Sequence, residues 1–141
     1  MRVASLGVAR PAYYDRNATG TFLVYSAVTG PHAATPRFSS TVASGKKAFV
    51  ELAHAYYDRQ TVAATGLNTV AWIRIASTTA TYASLIFVRT DTAAVGPLVD
   101  RVTSGQVTIY AGESIEGVTI DGSTGGTCNY YISSKITTFD A

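Results

Sequence analysis

Short runs rich in β-branched and aromatic residues, each closed by Gly, Pro, Asp or Ser, recur along the chain. No stretch carries the 3.6-residue periodicity of an amphipathic helix. That pattern admits little besides an antiparallel sandwich or barrel. The runs predict strands at 2–9, 20–28, 37–43, 47–60, 69–78, 81–90, 95–103, 106–111, 114–120 and 128–139. So many short strands, with one or two longer connections, exceed a meander and fit a double Greek key. The expected fold is all-β: a two-sheet antiparallel sandwich of about 8–10 strands, jelly-roll-like. An immunoglobulin-type sandwich of the antibody kind would carry a Cys, Trp, Cys arrangement, which one cysteine does not provide.

Alternation within the runs sorts residues into faces. In 47–57 it assigns Ala48, Val50, Leu52 and Tyr56 to the core and turns Phe49 and Glu51 outward. The 69–76 run is apolar on both faces apart from Arg74, which predicts a central strand. Ala43-Ser44-Gly45-Lys46, Ala111-Gly112-Glu113 and Asp121 to Thr127 supply turns with glycine where positive φ is needed. Pro31 and Pro36 lack ladder donors, so 31–36 reads as a crossing loop.

The 141 residues are the size of one domain, expected to span 1–141, and 47% hydrophobic residues fill one core. Only 14% are charged, so the surface is largely neutral: either a Thr-rich β surface or one covered by a partner. The net charge of +2 is scattered, with Lys46-Lys47 the only adjacent basic pair. No nucleic-acid partner is expected. No apolar run approaches the ~18 residues of a membrane span, and the first ten residues lack the apolar core of an export signal. Cys128 has no intrachain partner and reads as a small buried hydrophobe.

The supply of catalytic groups is thin. His32 and His54 are the two histidines, the first in the Pro-bounded loop and the second at a core-facing or rim position; both read as structural or solvated. No Gly-x-Ser-x-Gly elbow occurs, and neither histidine has a metal ligand at helix or strand spacing. Calcium on Asp91 and Asp121 is the one metal arrangement the sequence leaves open, against a simple Asp-Gly turn. No enzyme, cofactor or metal site is expected. Tyr13-Tyr14, Tyr56-Tyr57 and Tyr130-Tyr131 are adjacent pairs, so in a strand one of each must face outward. An outward tyrosine either stacks on a sugar ring or packs on a neighbour. Ala12-Tyr13-Tyr14-Asp15-Arg16 recurs as Ala55-Tyr56-Tyr57-Asp58-Arg59, as a duplicated docking element or as coincidence in a Tyr- and Ala-rich chain.

Three segments, Val42 to Ala48, Tyr110 to Ile115, and Gly125-Gly126-Thr127 through Phe139, together resemble small jelly-roll virion proteins of tailed bacteriophages. The resemblance implies a capsid decoration (cement) or minor head or tail component. It also implies a homotrimer or symmetric array, with a major capsid or other virion protein as partner and the virion as location. In that reading Arg2, Arg10, Tyr13, Tyr14, Arg16, Tyr57 and Arg59 make the contacts, tyrosines supplying buried area and arginines fixing register. Residues 1–20 form either an N-terminal arm or an ordinary first strand. The alternative function is a carbohydrate-binding, lectin-like sandwich.

Overall fold

The computed structural model describes residues 18–65, 68–77, 82–103 and 107–141. The strand expected at 2–9, and the contacts expected of Arg2, Arg10, Tyr13, Tyr14 and Arg16, lie outside the described residues. Among the described residues nine strands form: β1 (Thr19–Thr29), β2 (His32–Thr41), β3 (Lys46–Thr61), β4 (Thr69–Ala76), β5 (Tyr82–Thr90), β6 (Gly96–Thr103), β7 (Val107–Tyr110), β8 (Ser114–Asp121) and β9 (Thr127–Asp140).

One sheet has the order β1-β9-β3-β6, with β7 also on β3; the other has the order β2-β8-β4-β5. β6 and β7 lie antiparallel to the two halves of β3, β7 along Lys47 to Val50 and β6 along Ala53 to Arg59, so they serve as one strand in two pieces. The antiparallel pairs are therefore nested: β1 with β9, β2 with β8, β3 with β6 and β7, β4 with β5. A long hairpin rolled over itself into two facing sheets is a jelly roll, which closes two Greek keys around one core.

The core is built from the inward positions of both sheets. Ala48, Val50, Ala53, Ala55, Ile132 and Ile136 of one sheet meet Ala71, Ile73, Ile86 and Ile115 of the other. β4 lies between β8 and β5, as its two apolar faces require. Its one charge, Arg74, is satisfied by Glu116 at 2.9 Å and lies 4.4 Å from the ring centre of Trp72. Gly45, Gly112 and Gly125 hold positive φ at the three expected turns.

β3 departs from simple alternation. Its register on β9 passes from Val50↔Ile136 to Leu52↔Lys135, leaving Glu51 as a bulge residue that receives Lys135 at 2.9 Å. One extra residue reverses the facing of everything after it. Ala48 and Val50 face inward before the bulge, and Ala53, Ala55, Tyr57 and Arg59 are buried after it. Leu52 and Tyr56, expected in the core, are accordingly only partly buried, and His54 joins them on the outer face.

The 31–36 segment is also a correction: His32 to Thr41 is a strand, not a crossing loop. Pro36 is tolerated because β2 is an edge strand, where a missing donor faces away from the ladder, and register shifts flank it.

Gly117 of β8 is crowded by Phe38 of the neighbouring β2 and by Ile132 of the facing sheet. A Cβ there would lie 2.5 Å from Phe38 Cε1 and 2.7 Å from Ile132 Cδ1. Replacing Gly117 with Ala should cost about 1–3 kcal/mol by overpacking, read as a lower urea midpoint at unchanged slope. An unshifted midpoint would mean that the Phe38 ring moves aside freely.

Candidate functional site: a buried polar end and an aromatic outer face

Two arrangements stand out: a polar cluster inside one end of the sandwich and an aromatic outer face on the five-stranded sheet. The cluster forms where the ends of β3 and β8 meet the starts of β2, β4 and β9. The phase reversal at Glu51 turns Arg59 inward here, and the side chain is fully buried, at 0% exposure. Its Nη2 donates to Thr69 Oγ1 at 3.2 Å, and Thr69 in turn donates to Asp121 Oδ1 at 3.3 Å. Asp121 Oδ1 also accepts the Ser123 backbone N–H at 3.0 Å. Arg59 and Asp121 are thus linked through a hydroxyl. Among the described residues, Arg59 Nε and Nη1, Asp121 Oδ2 and Ser123 Oγ have no hydrogen-bond partner. Gly126 makes room for the guanidinium, since a Cβ there would lie 3.0 Å from Arg59 Nη1 and 2.9 Å from Ala63 Cβ.

Aromatic rings roof the cluster. Tyr57 and Tyr130 lie with centroids 5.7 Å apart, and His32 meets Tyr130 edge-on at 5.6 Å. Tyr130 donates its hydroxyl to the Ile120 carbonyl at 2.9 Å. Burial holds both phenols well above the usual tyrosine range and pushes the Cys128 thiol up to about 11. His32 Nδ1 lies 2.9 Å from the Gly30 carbonyl, which can only accept, so this nitrogen carries a proton. For a neutral ring, Nε2 then accepts from Thr119 Oγ1 at 2.9 Å, and the same oxygen accepts from Arg37 Nε at 2.8 Å.

A depression of about 630 Å³ beside the cluster is lined in part by His32, Asn68, Asp121 and Ser123. Register places His32 opposite Asp121, so the three residue types of an acyl-transfer triad share one place. The His32 bonds described above go to Gly30 and Thr119, and among the described residues Ser123 Oγ bonds to no base. Asp91 is committed to the Asn68 backbone N–H at 2.8 Å, which with Arg89 holds its carboxyl below the usual range. Among the described residues no group of three potential metal-binding side chains forms.

The outer face of the five-stranded sheet is of different character. Tyr56 and Tyr131 are register partners there, and His54 sits 5.3 Å from Tyr131. Ser26, Tyr56, Asn129 and Tyr131 line a groove of about 390 Å³. On β1, Phe22 and Val24 are 62% and 50% exposed.

Two of the expected contact residues are corrected by this geometry. Tyr57 and Arg59 are buried in the end cluster and present no surface to a partner, because the bulge inverts the phase on which they had been placed outward. In the Tyr pairs, Tyr56 and Tyr131 face out and Tyr57 and Tyr130 face in. Thr69, Thr119 and Ser123, generic β residues in the sequence, acquire roles only once the strands are paired. Cys128 is buried, as expected of a small hydrophobe.

No family model and no curated protein sequence matches the chain. Among solved structures, the VP2 subviral particle of infectious bursal disease virus aligns at 12% identity and TM-score 0.45, covering 88% of this chain and 33% of that one. The Gx strain of the same virus aligns at 12% identity and TM-score 0.44, covering 89% and 33%. The chain thus spans about one third of the length of these viral chains. A Bacillus endospore appendage, described as a disulfide-linked pilus, aligns at 13% identity and TM-score 0.44, covering 95% of this chain and 98% of that one. The strand order, rather than these loose likenesses, defines the jelly roll.

Proposed function

We propose that this chain is a structural virion module, a capsid decoration or stabilising protein that acts by protein–protein contact within a symmetric oligomer. The observation that carries the reading is the distribution of side chains between inside and outside. The convergent polar groups, Arg59, Thr69, Asp121 and Ser123, are buried at one end of the sandwich, whereas Phe22, Val24, Val62, Phe87, Val95 and Tyr110 stand exposed. On a chain with 14% charged residues, such a surface favours association over solvation. The sequence resemblance to small phage virion proteins supplies the capsid as partner. Arg2, Arg10, Tyr13, Tyr14 and Arg16 remain the proposed contacts of an N-terminal arm.

Alanine at both Tyr13 and Tyr14 should lower the oligomer mass and capsid attachment while leaving the melting temperature unchanged. Unchanged mass and attachment would remove the arm. A carbohydrate-binding reading is favoured by one feature, the Tyr56–Tyr131 groove with Asn129 and Ser26 beside it. A glycan array separates the two: saturable binding lost on Tyr131→Ala supports the lectin reading and counts against the virion one.

A further inference from the structure

The four sheet edges are not treated alike. β2 carries Pro36, Arg37 and two register shifts. The β5 edge carries a register shift and Arg89. The β6 edge carries Pro97, Asp100, Arg101 and a register shift, and β7 is four residues long. Proline, charge, bulges and shortness are the devices that keep an edge from pairing with another strand. β1 has none of them. Its eleven residues, TGTFLVYSAVT, contain no charge and no proline, and their register on β9 is unbroken from Thr19 to Thr29. Among the described residues nothing pairs with its other edge, and Phe22 and Val24 stand exposed along it.

We infer that β1 is an interface to a second copy of this chain, joined edge to edge in antiparallel fashion so that two five-stranded sheets become one continuous sheet. This deepens the reading of the chain as a self-associating module and rests on it. The neutrality of β1 is what selects a second copy. A two-fold pairing sets each residue against its own strand, so any charge would meet its like nearby. β1 itself offers no such conflict; of the cations beside it, Arg37 stacks on Tyr25 at 4.7 Å and Lys135 is paired with Glu51. A register centred on Val24 sets Val24 against Val24 and Phe22 against Ser26. The main-chain groups of both edges are then satisfied while both Phe22 side chains lose exposure.

The test uses the full chain. Val24→Lys, at an exposed outward position, should leave the circular dichroism spectrum and melting temperature intact and weaken self-association about tenfold or more in sedimentation equilibrium. Val24→Cys should give a covalent dimer on mild oxidation; the buried Cys128 stays out of the reaction. An oligomer whose mass survives Val24→Lys, with no Val24→Cys dimer, overturns edge pairing but leaves self-association standing. A wild-type chain that is monomeric at every concentration overturns both. A monomer whose attachment to capsids is lost on Val24→Lys assigns the edge to a strand of another protein and overturns the second copy.

Discussion

Between pH 9 and pH 11 the sandwich should lose about 4–5 kcal/mol of stability, enough to bring a marginal fold close to its midpoint. The cause is the burial of Tyr57, Tyr130 and Cys128 at one end of the core. Each is an acid whose neutral form is favoured by desolvation, so its folded-state pKa lies above its unfolded value. The stabilisation is complete below the unfolded pKa and disappears as the pH rises toward the folded one. For Cys128 that window runs from 9.0 to about 11. For the two tyrosines it opens at 10.0 and extends past the range where the fold survives. Each group contributes about 1.4 kcal/mol per pH unit within its window. Urea titrations at stepped pH, followed by Trp72 fluorescence, would read the slope. Tyr130→Phe should lower stability at pH 8 by about 1 kcal/mol, through loss of the bond to Ile120, yet flatten the alkaline slope. A flat profile in the wild type, or the same slope in Tyr130→Phe, would sink the account.

Arg59→Ala should cost about 3–5 kcal/mol, the loss expected when one member of a buried charged set is removed and the other is left behind. Asp121 would be stranded, retaining Thr69 and the Ser123 N–H but losing the cation that the hydroxyl relays to it. Arg59→Met refills most of the volume without relieving Asp121. The double variant Arg59→Met with Asp121→Asn should therefore be more stable than the sum of its parts predicts, by about 0.5–3 kcal/mol in a double-mutant cycle. Strict additivity, or a loss under about 1 kcal/mol for Arg59→Ala, would show that the cation and the carboxylate do not depend on one another.

Most of the strand plan was legible because each run ends at a residue with a local reason to end it. Gly45, Gly112 and Gly125 need no tertiary context to be recognised as turns. The end cluster was not legible, and Glu51 is the reason. A bulge is fixed by the partner strand, here by the offset between Val50↔Ile136 and Leu52↔Lys135, and alternation read along β3 alone has no access to it. Every assignment after position 51 was consequently reversed, which put Arg59 and Tyr57 outside and His54 inside or at the rim. Pro36 misled for a related reason: proline argues against a strand only in the interior of a sheet, and being at an edge is a property of the whole fold. The neutrality of β1 was in plain view, but it acquired meaning only when the other edges proved to be defended.

The nested pairing also sets the order in which the molecule can be made. β9, which follows the other eight described strands in sequence, is the one that lies between β1 and β3 in the five-stranded sheet. While a ribosome is still adding residues 127–140, β1 has emerged without the neighbour that will hold it, and β3 lacks the partner that imposes the bulge. Local β4–β5 pairing can form early, but the rest waits for sequence-distant partners, which makes such topologies slow to fold. Half of the sandwich is therefore exposed, edge and all, until β9 has emerged, and in that interval a chain with so neutral an edge strand is most in need of a chaperone or of dilution.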